Sequence, residues 1–183
     1  MTTHDFLRAA HAALIATLAL SAAPVLAAGA HSGGHMTKAI GEPGDPAKAS
    51  RTIRIEMHDN YYKPEKISVA KGETVRFEIV NKGNFVHEFN IGTGAMHEAH
   101  QEEMTMMVEH GIIDGSGRIN RDRMKMDMGG GKTMEHDDPN SVLVETGGKV
   151  EIVWRFAEAT DLEFACNLPG HYASGMVGDI RFR

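Results

Sequence analysis

The sequence predicts an all-β chain, a small Greek-key β-sandwich interrupted by one long insertion. Three observations predict it: eight short runs alternate apolar and polar residues, Gly-containing turns punctuate them, and the alternation stops for nearly fifty residues between Gly92 and Asn140. The 183 residues, 42% of them hydrophobic, suffice for one domain with a core and would be crowded as two. The formal charge of −6, with no basic stripe and no interleaved aromatics, argues against a nucleic-acid partner and leaves a protein as the expected docking partner.

Residues 1–30 have their own character. Arg8 precedes an apolar run from Ala12 to Ala23, and small residues then offer cleavage after Ala27 or Ala30, which is the pattern of a secretory signal peptide. The run falls short of the roughly 20 residues a spanning helix needs, and nothing later is more apolar, so no membrane span is expected in the mature form. Residues 31–50, "HSGGHMTKAIGEPGDPAKAS", are rich in Gly, Pro, Ala and Ser and read as a flexible leader.

The domain is expected over residues 51–183. Its strand candidates are "TIRIEM", "KISVA", "TVRFEIV" and "VHEFNI" before the insertion, and "SVLVE", "KVEIVWRF", "LEFAC" and "MVGDIRF" after it. "VAKGETVRF" and "VETGGKVEIVW" put glycine turns between such runs, as hairpins and sandwich corners require. The insertion, residues 92–140, carries eight methionines and four histidines, and has room for one short helix near Ala95 to Glu109. A structureless loop of that length is unusual in a compact domain unless it has a function.

The only cysteine, Cys166, lies in "EFACNLPGHYASGMVGDI". An exported chain meets an oxidising compartment, and a lone thiol has no intramolecular disulfide partner there. A metal can hold it. Thiolate, imidazole and thioether together suit copper cycling between Cu(I) and Cu(II), with two His and one Cys arranged trigonally and a long axial Met; zinc is the runner-up, but ordinarily takes a stronger fourth ligand. Cys166, His171 and Met176 supply three ligands from a strand end, a turn and the next strand, with Gly170 and Gly175 letting the backbone crowd close. His87, after the polar turn "NKGN", stands where a second imidazole is needed. Pro169 has no N–H and removes one possible donor near the sulfur.

"CNLPGHYASGM" with "NKGNFVHEF" upstream resembles the cupredoxin (type 1, blue-copper) family, and the C-x4-H-x4-M spacing is similar to the ligand loop of rusticyanin and auracyanin. The resemblance covers residues 52–91 and 141–183, including "YYKPEKISVAKGETVRFEIVN". It implies a Greek-key sandwich holding one type 1 copper centre on His87, Cys166, His171 and Met176. It also implies one-electron transfer through an apolar patch around His171, with Leu168, Pro169 and Tyr172 nearby, where a protein redox partner docks. No open coordination position for a substrate follows, so an electron carrier or copper-binding protein is expected rather than an enzyme.

In the insertion, Met96, His97, His100, Met104, Met106, Met107 and His110 recur along the expected helix, and Met124, Met126, Met128, Met134 and His136 follow. Thioethers select Cu(I) and imidazoles accept either state, so these residues are candidate ligands for additional, weakly bound copper. The competing reading is a lid of adaptable packing methionines, against which the alternation in "MKMDM" weighs. With His31, His35 and Met36 in the leader, and the phrase "HEFNIGTGAMHEAHQEEM", the chain resembles the periplasmic copper-tolerance cupredoxins of Gram-negative bacteria. That resemblance implies a periplasmic role in copper tolerance. The alternatives are a dedicated electron shuttle, and a cuprous oxidase drawing electrons from Cu(I) held by the insertion.

Two further motifs fail on inspection. "GGGKT" lacks the earlier glycine of a phosphate-binding loop, where Met126 stands, and "IDGSGRIN" would begin a calcium loop at Ile112.

Overall fold

The computed structural model describes residues 40–127, 133–135, 138–158 and 160–183, with the short strands at 125–127 and 133–135 described by their backbone alone. The expected signal peptide, the start of the expected leader, Met128 and His136 lie outside the described residues.

The strands are β1 (Glu42–Pro43), β2 (Arg51–His58), β3 (Tyr61–Lys63), β4 (Lys66–Val69), β5 (Thr74–Asn81) and β6 (His87–Gly92), then helix α1 (Gly94–Glu109), β7 (Lys125–Asp127), β8 (Thr133–Glu135), β9 (Ser141–Val144), β10 (Lys149–Arg155), β11 (Leu162–Ala165) and β12 (Val177–Phe182). Among the described residues they form one sheet in the order β1-β10-β5-β2-β3 and a second in the order β4-β12-β11-β6-β9, with β7 and β8 as a separate hairpin. The β2–β5 and β4–β12 pairs are parallel and the others antiparallel, a Greek-key arrangement and the β-sandwich that the strand count predicts.

Alternation decides which side chains fill the space between the sheets. On β5, Val75, Phe77 and Ile79 are fully buried, while Arg76 turns outward to Glu151 of β10 at 2.7 Å. Phe77 of the first sheet meets Phe89 of the second at a ring separation of 5.4 Å, and Phe89 meets Phe164 at 5.4 Å. Tyr62 of β3 crosses the core, packs on Phe164 at 5.0 Å, and donates its hydroxyl to the Glu88 carbonyl at 2.5 Å. Each such aromatic pair contributes about 0.5–1.5 kcal/mol beyond the area it buries.

All eight predicted runs are strands. "VAKGETVRF" and "VETGGKVEIVW" are corners rather than hairpins, since β4 and β9 lie in the second sheet and β5 and β10 in the first. Part of the expected leader also packs. Ile40 is fully buried, its carbonyl accepts the Trp154 indole N–H at 3.2 Å, and β1 pairs with β10. Composition suggested flexibility there, but an edge strand uses main-chain groups and tolerates Pro43.

The insertion is structured where it is described. Thr93 caps α1 by accepting the Met96 N–H at 3.3 Å, and the helix lies against β6 and β11. His97, His100, Met104 and Met107, spaced three and four apart, form the stripe that meets the sandwich. After α1, Ile112, Ile113 and Ile119 are buried, and Asp114 closes the intervening turn by accepting the N–H groups of Ser116 and Arg118 at 2.8 and 3.0 Å. Among the described residues no helix is long and apolar enough to cross a membrane.

Candidate metal centre

The single thiol sits at the end of β11, where the chain leaves the sheet. Cys166 remains tied to β12 through its N–H, which donates to the Met176 carbonyl at 3.2 Å. Between them "NLPGHYASG" folds as successive turns: the His171 N–H donates to the Leu168 carbonyl at 2.9 Å, the Gly175 N–H to the Tyr172 carbonyl at 2.9 Å, and the Met176 N–H to the His171 carbonyl at 3.0 Å. Gly170 and Gly175 stand at φ of +83° and +95° with no neighbour within 4 Å of a hypothetical Cβ. Their role is therefore the left-handed turn conformation and not the close crowding that the sequence suggested.

This loop brings the Cys166 Sγ to 3.2 Å from His171 Nδ1. His87, the first residue of β6, enters from the neighbouring strand, and its ring centroid lies 5.1 Å from that of His171. One donor atom each from His87, Cys166 and His171 lies within 4.8 Å of the others. Met176 is fully buried where the loop rejoins β12, its N–H donating to the His171 carbonyl.

The ring of His87 is fixed by a residue that sequence reasoning missed. Asp59, in the β2–β3 turn, contacts His87 Nε2 at 3.1 Å and accepts the Asn84 main-chain N–H at 2.9 Å. With Nε2 held, the buried Nδ1 has no hydrogen-bond partner among the described residues. Such an atom costs stability unless something occupies it. Gly83 is part of the same arrangement, because a Cβ there would strike the Asp59 carboxylate and lie 2.7 Å from His87 Nε2. Asn81 braces the turn, donating to the Phe85 and Val144 carbonyls at 2.7 Å each and accepting the Gly83 N–H at 2.9 Å.

A second unpredicted carboxylate lies behind the sulfur. Glu88 is fully buried; its N–H donates to Cys166 Sγ at 3.3 Å, and its carboxylate accepts the Asn167 N–H and side-chain amide at 3.0 and 2.9 Å. The Ser141 hydroxyl donates to it at 2.5 Å, and His100 Nε2 lies 2.8 Å away. Asn167 also contacts the buried His97 Nδ1 at 3.1 Å. No spacing rule marks Asp59, Glu88 or Asn167; Glu88 and Asn167 each directly follow a candidate ligand, whereas Asp59 lies 28 residues from His87 and carries no such signal.

The electrostatics favour a cation between these groups. Burial pushes the Cys166 thiol up to about 12, with the Glu88 charge adding to it and N–H donors from Glu88 and Leu168 opposing. Burial holds His87 and His171 below the ordinary imidazole range, against the pull of Asp59 on both. Two neutral imidazoles and a thiol that ionises only beside a cation fit a thiophilic metal, whose binding would release a proton. Sulfur with imidazole nitrogen suits copper or zinc.

His171 lies at the rim, half-buried. With Phe85, Val86, Val108, Leu168 and Pro169 it lines a shallow cavity of about 230 Å³, and Phe85 is 57% exposed. Tyr172 instead turns toward α1, its ring tilted against that of His97 at 5.9 Å, and donates its hydroxyl to Glu163 at 2.7 Å.

The soft residues of the insertion divide. Met104 and Met107 are fully buried in the hydrophobic core, and Met96 and Met124 pack against it. His97 is buried against Asn167, and His100 is held between Glu88 and Glu103, which raise its pKa to about 10 against the opposing effect of burial. Met106 is half-buried, and the exposed His110 keeps Nδ1 on the Met106 carbonyl at 2.8 Å. Met126 and Met134 are backbone register partners in the β7–β8 pair.

Comparison with known proteins agrees with this geometry. Residues 11–111 match the cupredoxin-like domain family, a span that includes His87 and stops before Cys166. The chain is 49% identical over 148 residues to a copper-resistant cuproprotein, CopI, of Pseudomonas aeruginosa, covering 78% of this chain and 82% of that protein. It is 40% identical over 176 residues to the CopI of Rubrivivax gelatinosus, covering 94% and 92%. In fold it is similar to auracyanin B (TM-score 0.55, 15% identity, 78% and 96% covered) and to the auracyanin of Roseiflexus castenholzii (0.53, 20%, 74% and 98%). The sandwich, the matched domain and these relatives together establish that the chain belongs to the cupredoxin-like family, beside the CopI cuproproteins.

Proposed function

We propose that this chain is an exported, periplasmic copper-binding protein that contributes to copper tolerance, with His87, Cys166, His171 and Met176 as the ligands of a type 1 copper centre. The observation that carries the reading is the convergence of Cys166 Sγ and the two imidazoles within 4.8 Å. The CopI relatives are copper-resistant cuproproteins by name, which supports the physiological half of the reading. Copper, when bound there, supplies a one-electron couple. The chain's own residues do the rest: Asp59 orients His87, Glu88 and Leu168 give N–H groups to the sulfur, and the strand-turn-strand frame limits rearrangement.

The mixed fates of the methionines bear on the auxiliary sites. Core positions at Met104 and Met107, with Met96 and Met124 packed against that core, favour packing, which leaves Met106, His110, Met126, Met128, Met134 and His136 as the better candidates for weakly bound copper. The apolar cavity beside His171 favours a second reading, a shuttle that passes electrons to a docked protein.

Copper tolerance of a strain lacking the gene, complemented with wild type or with C166S, tests the reading. Restoration by wild type and not by C166S is expected. Full restoration by C166S would contradict it, and restoration of respiration without restoration of tolerance would favour the shuttle.

A further inference from the structure

A second group of donors lies on the insertion side of the sandwich and contains no sulfur. His100, on the buried stripe of α1, directs Nε2 to Glu88 at 2.8 Å and Nδ1 to Glu103 at 3.2 Å. Asp138, which precedes β9, completes the group: one donor atom each from His100, Glu103 and Asp138 lies within 4.8 Å of the others.

The arrangement around His100 is that of a metal-binding imidazole with its orienting carboxylate. Glu88 is fully buried and fixed by Asn167 and Ser141, so it cannot follow the ring; it holds Nε2–H and fixes the tautomer. Nδ1, which faces Glu103 at 3.2 Å, becomes the ligand atom when a cation displaces its proton, with the two carboxylates arriving from different segments, the next turn of α1 and the chain entering β9. His100 and Glu103 are mostly shielded, with side chains 10% and 15% exposed, while Asp138 is exposed and leaves a path for an ion to enter. Nitrogen with two carboxylate oxygens suits a divalent cation of borderline hardness, and the order of affinities among such ions puts Cu(II) ahead of Zn(II).

We propose that His100 Nδ1, Glu103 and Asp138 bind a divalent cation, Cu(II) most tightly, at a site separate from the Cys166 centre, with Glu88 as the positioning carboxylate. The site goes beyond the type 1 reading, since it shares no donor with that centre. Its donors are also unlike the thioethers that would retain Cu(I). The competing arrangement is a protonated His100 making the same contacts as an ion pair that only anchors α1. Since Glu88 also gives its N–H to Cys166 Sγ, one residue touches both sites.

The test is Cu(II) titration of the C166A/H87A/H171A protein, in which the donors of the sulfur site are absent, with His31 and His35 replaced to remove leader binding. Calorimetry and electron paramagnetic resonance are expected to show a tightest equivalent with nitrogen and oxygen ligation, and E103Q/D138N is expected to weaken that equivalent at least about 10-fold. An unchanged affinity, or a double variant that only lowers the melting temperature, would overturn the proposal in favour of the ion pair. In the Cys166-containing protein the same double variant should leave the thiolate absorption intact, so failure here is distinguishable from failure of the type 1 reading.

Discussion

The Glu88 carboxylate accepts the main-chain N–H of Asn167 at 3.0 Å, and so fixes the residue that follows Cys166 from the strand that carries His87. A fully buried carboxylate with donors from Asn167, Ser141 and His100 is held by geometry that no uncharged residue reproduces.

Truncation of this group should be among the most damaging single changes. Glu88→Ala leaves several buried donors without an acceptor and is expected to cost about 3–5 kcal/mol, with E88Q costing less. Denaturant unfolding of the metal-free protein measures it, and a change below about 1 kcal/mol would show that water replaces the carboxylate.

Asp59 acts on the metal through His87. D59A should weaken copper binding about 10–100-fold while altering stability by only about 1 kcal/mol, read by competition with a chelator and by thermal melting. Gly83→Ala should shift affinity in the same direction, because its Cβ displaces both partners.

The methionines of α1 separate packing from ligation. M104A and M107A remove fully buried side chains and should each cost about 2–5 kcal/mol with copper stoichiometry unchanged, whereas M106A, half-buried, should cost less than about 1 kcal/mol. Loss of a copper equivalent in M104A without loss of stability would reverse that assignment.

An acid-sensitive tie sits away from any metal donor. Burial opposes the charge of Glu73, but the Arg51 guanidinium, the Ala70 N–H and the Ser50 hydroxyl outweigh it and hold its carboxyl below the usual 4.5. A group depressed in the folded state stabilises above its unfolded pKa and loses that contribution as pH falls through the folded value. The metal-free protein should therefore lose stability below about pH 4.5, and E73Q should flatten that loss while costing about 1–3 kcal/mol at neutral pH.

Strand positions were legible in the sequence because each run that became a sheet strand of four or more residues is short and rich in Val, Ile, Leu or Phe. The three donors of "CNLPGHYASGM" were legible because one short loop carries them all, and His87 because a polar turn precedes it. Ile40 and β1 were not, since edge pairing depends on main-chain groups that composition does not report. Asp59 and Glu88 were hidden for a different reason: they act across 28 and 79 residues of chain, on His87 and Asn167, and only the register of β6 against β11 brings the second pair together. The methionine spacing in α1 indicated one shared face but not what that face would meet.

The visible spectrum of the copper-loaded protein tests the central claim most directly. Intense thiolate-to-copper charge transfer is predicted for the wild type and should be absent from C166A, whereas a colourless Cu(II)-loaded wild type, or a band that survives in C166A, would contradict the account.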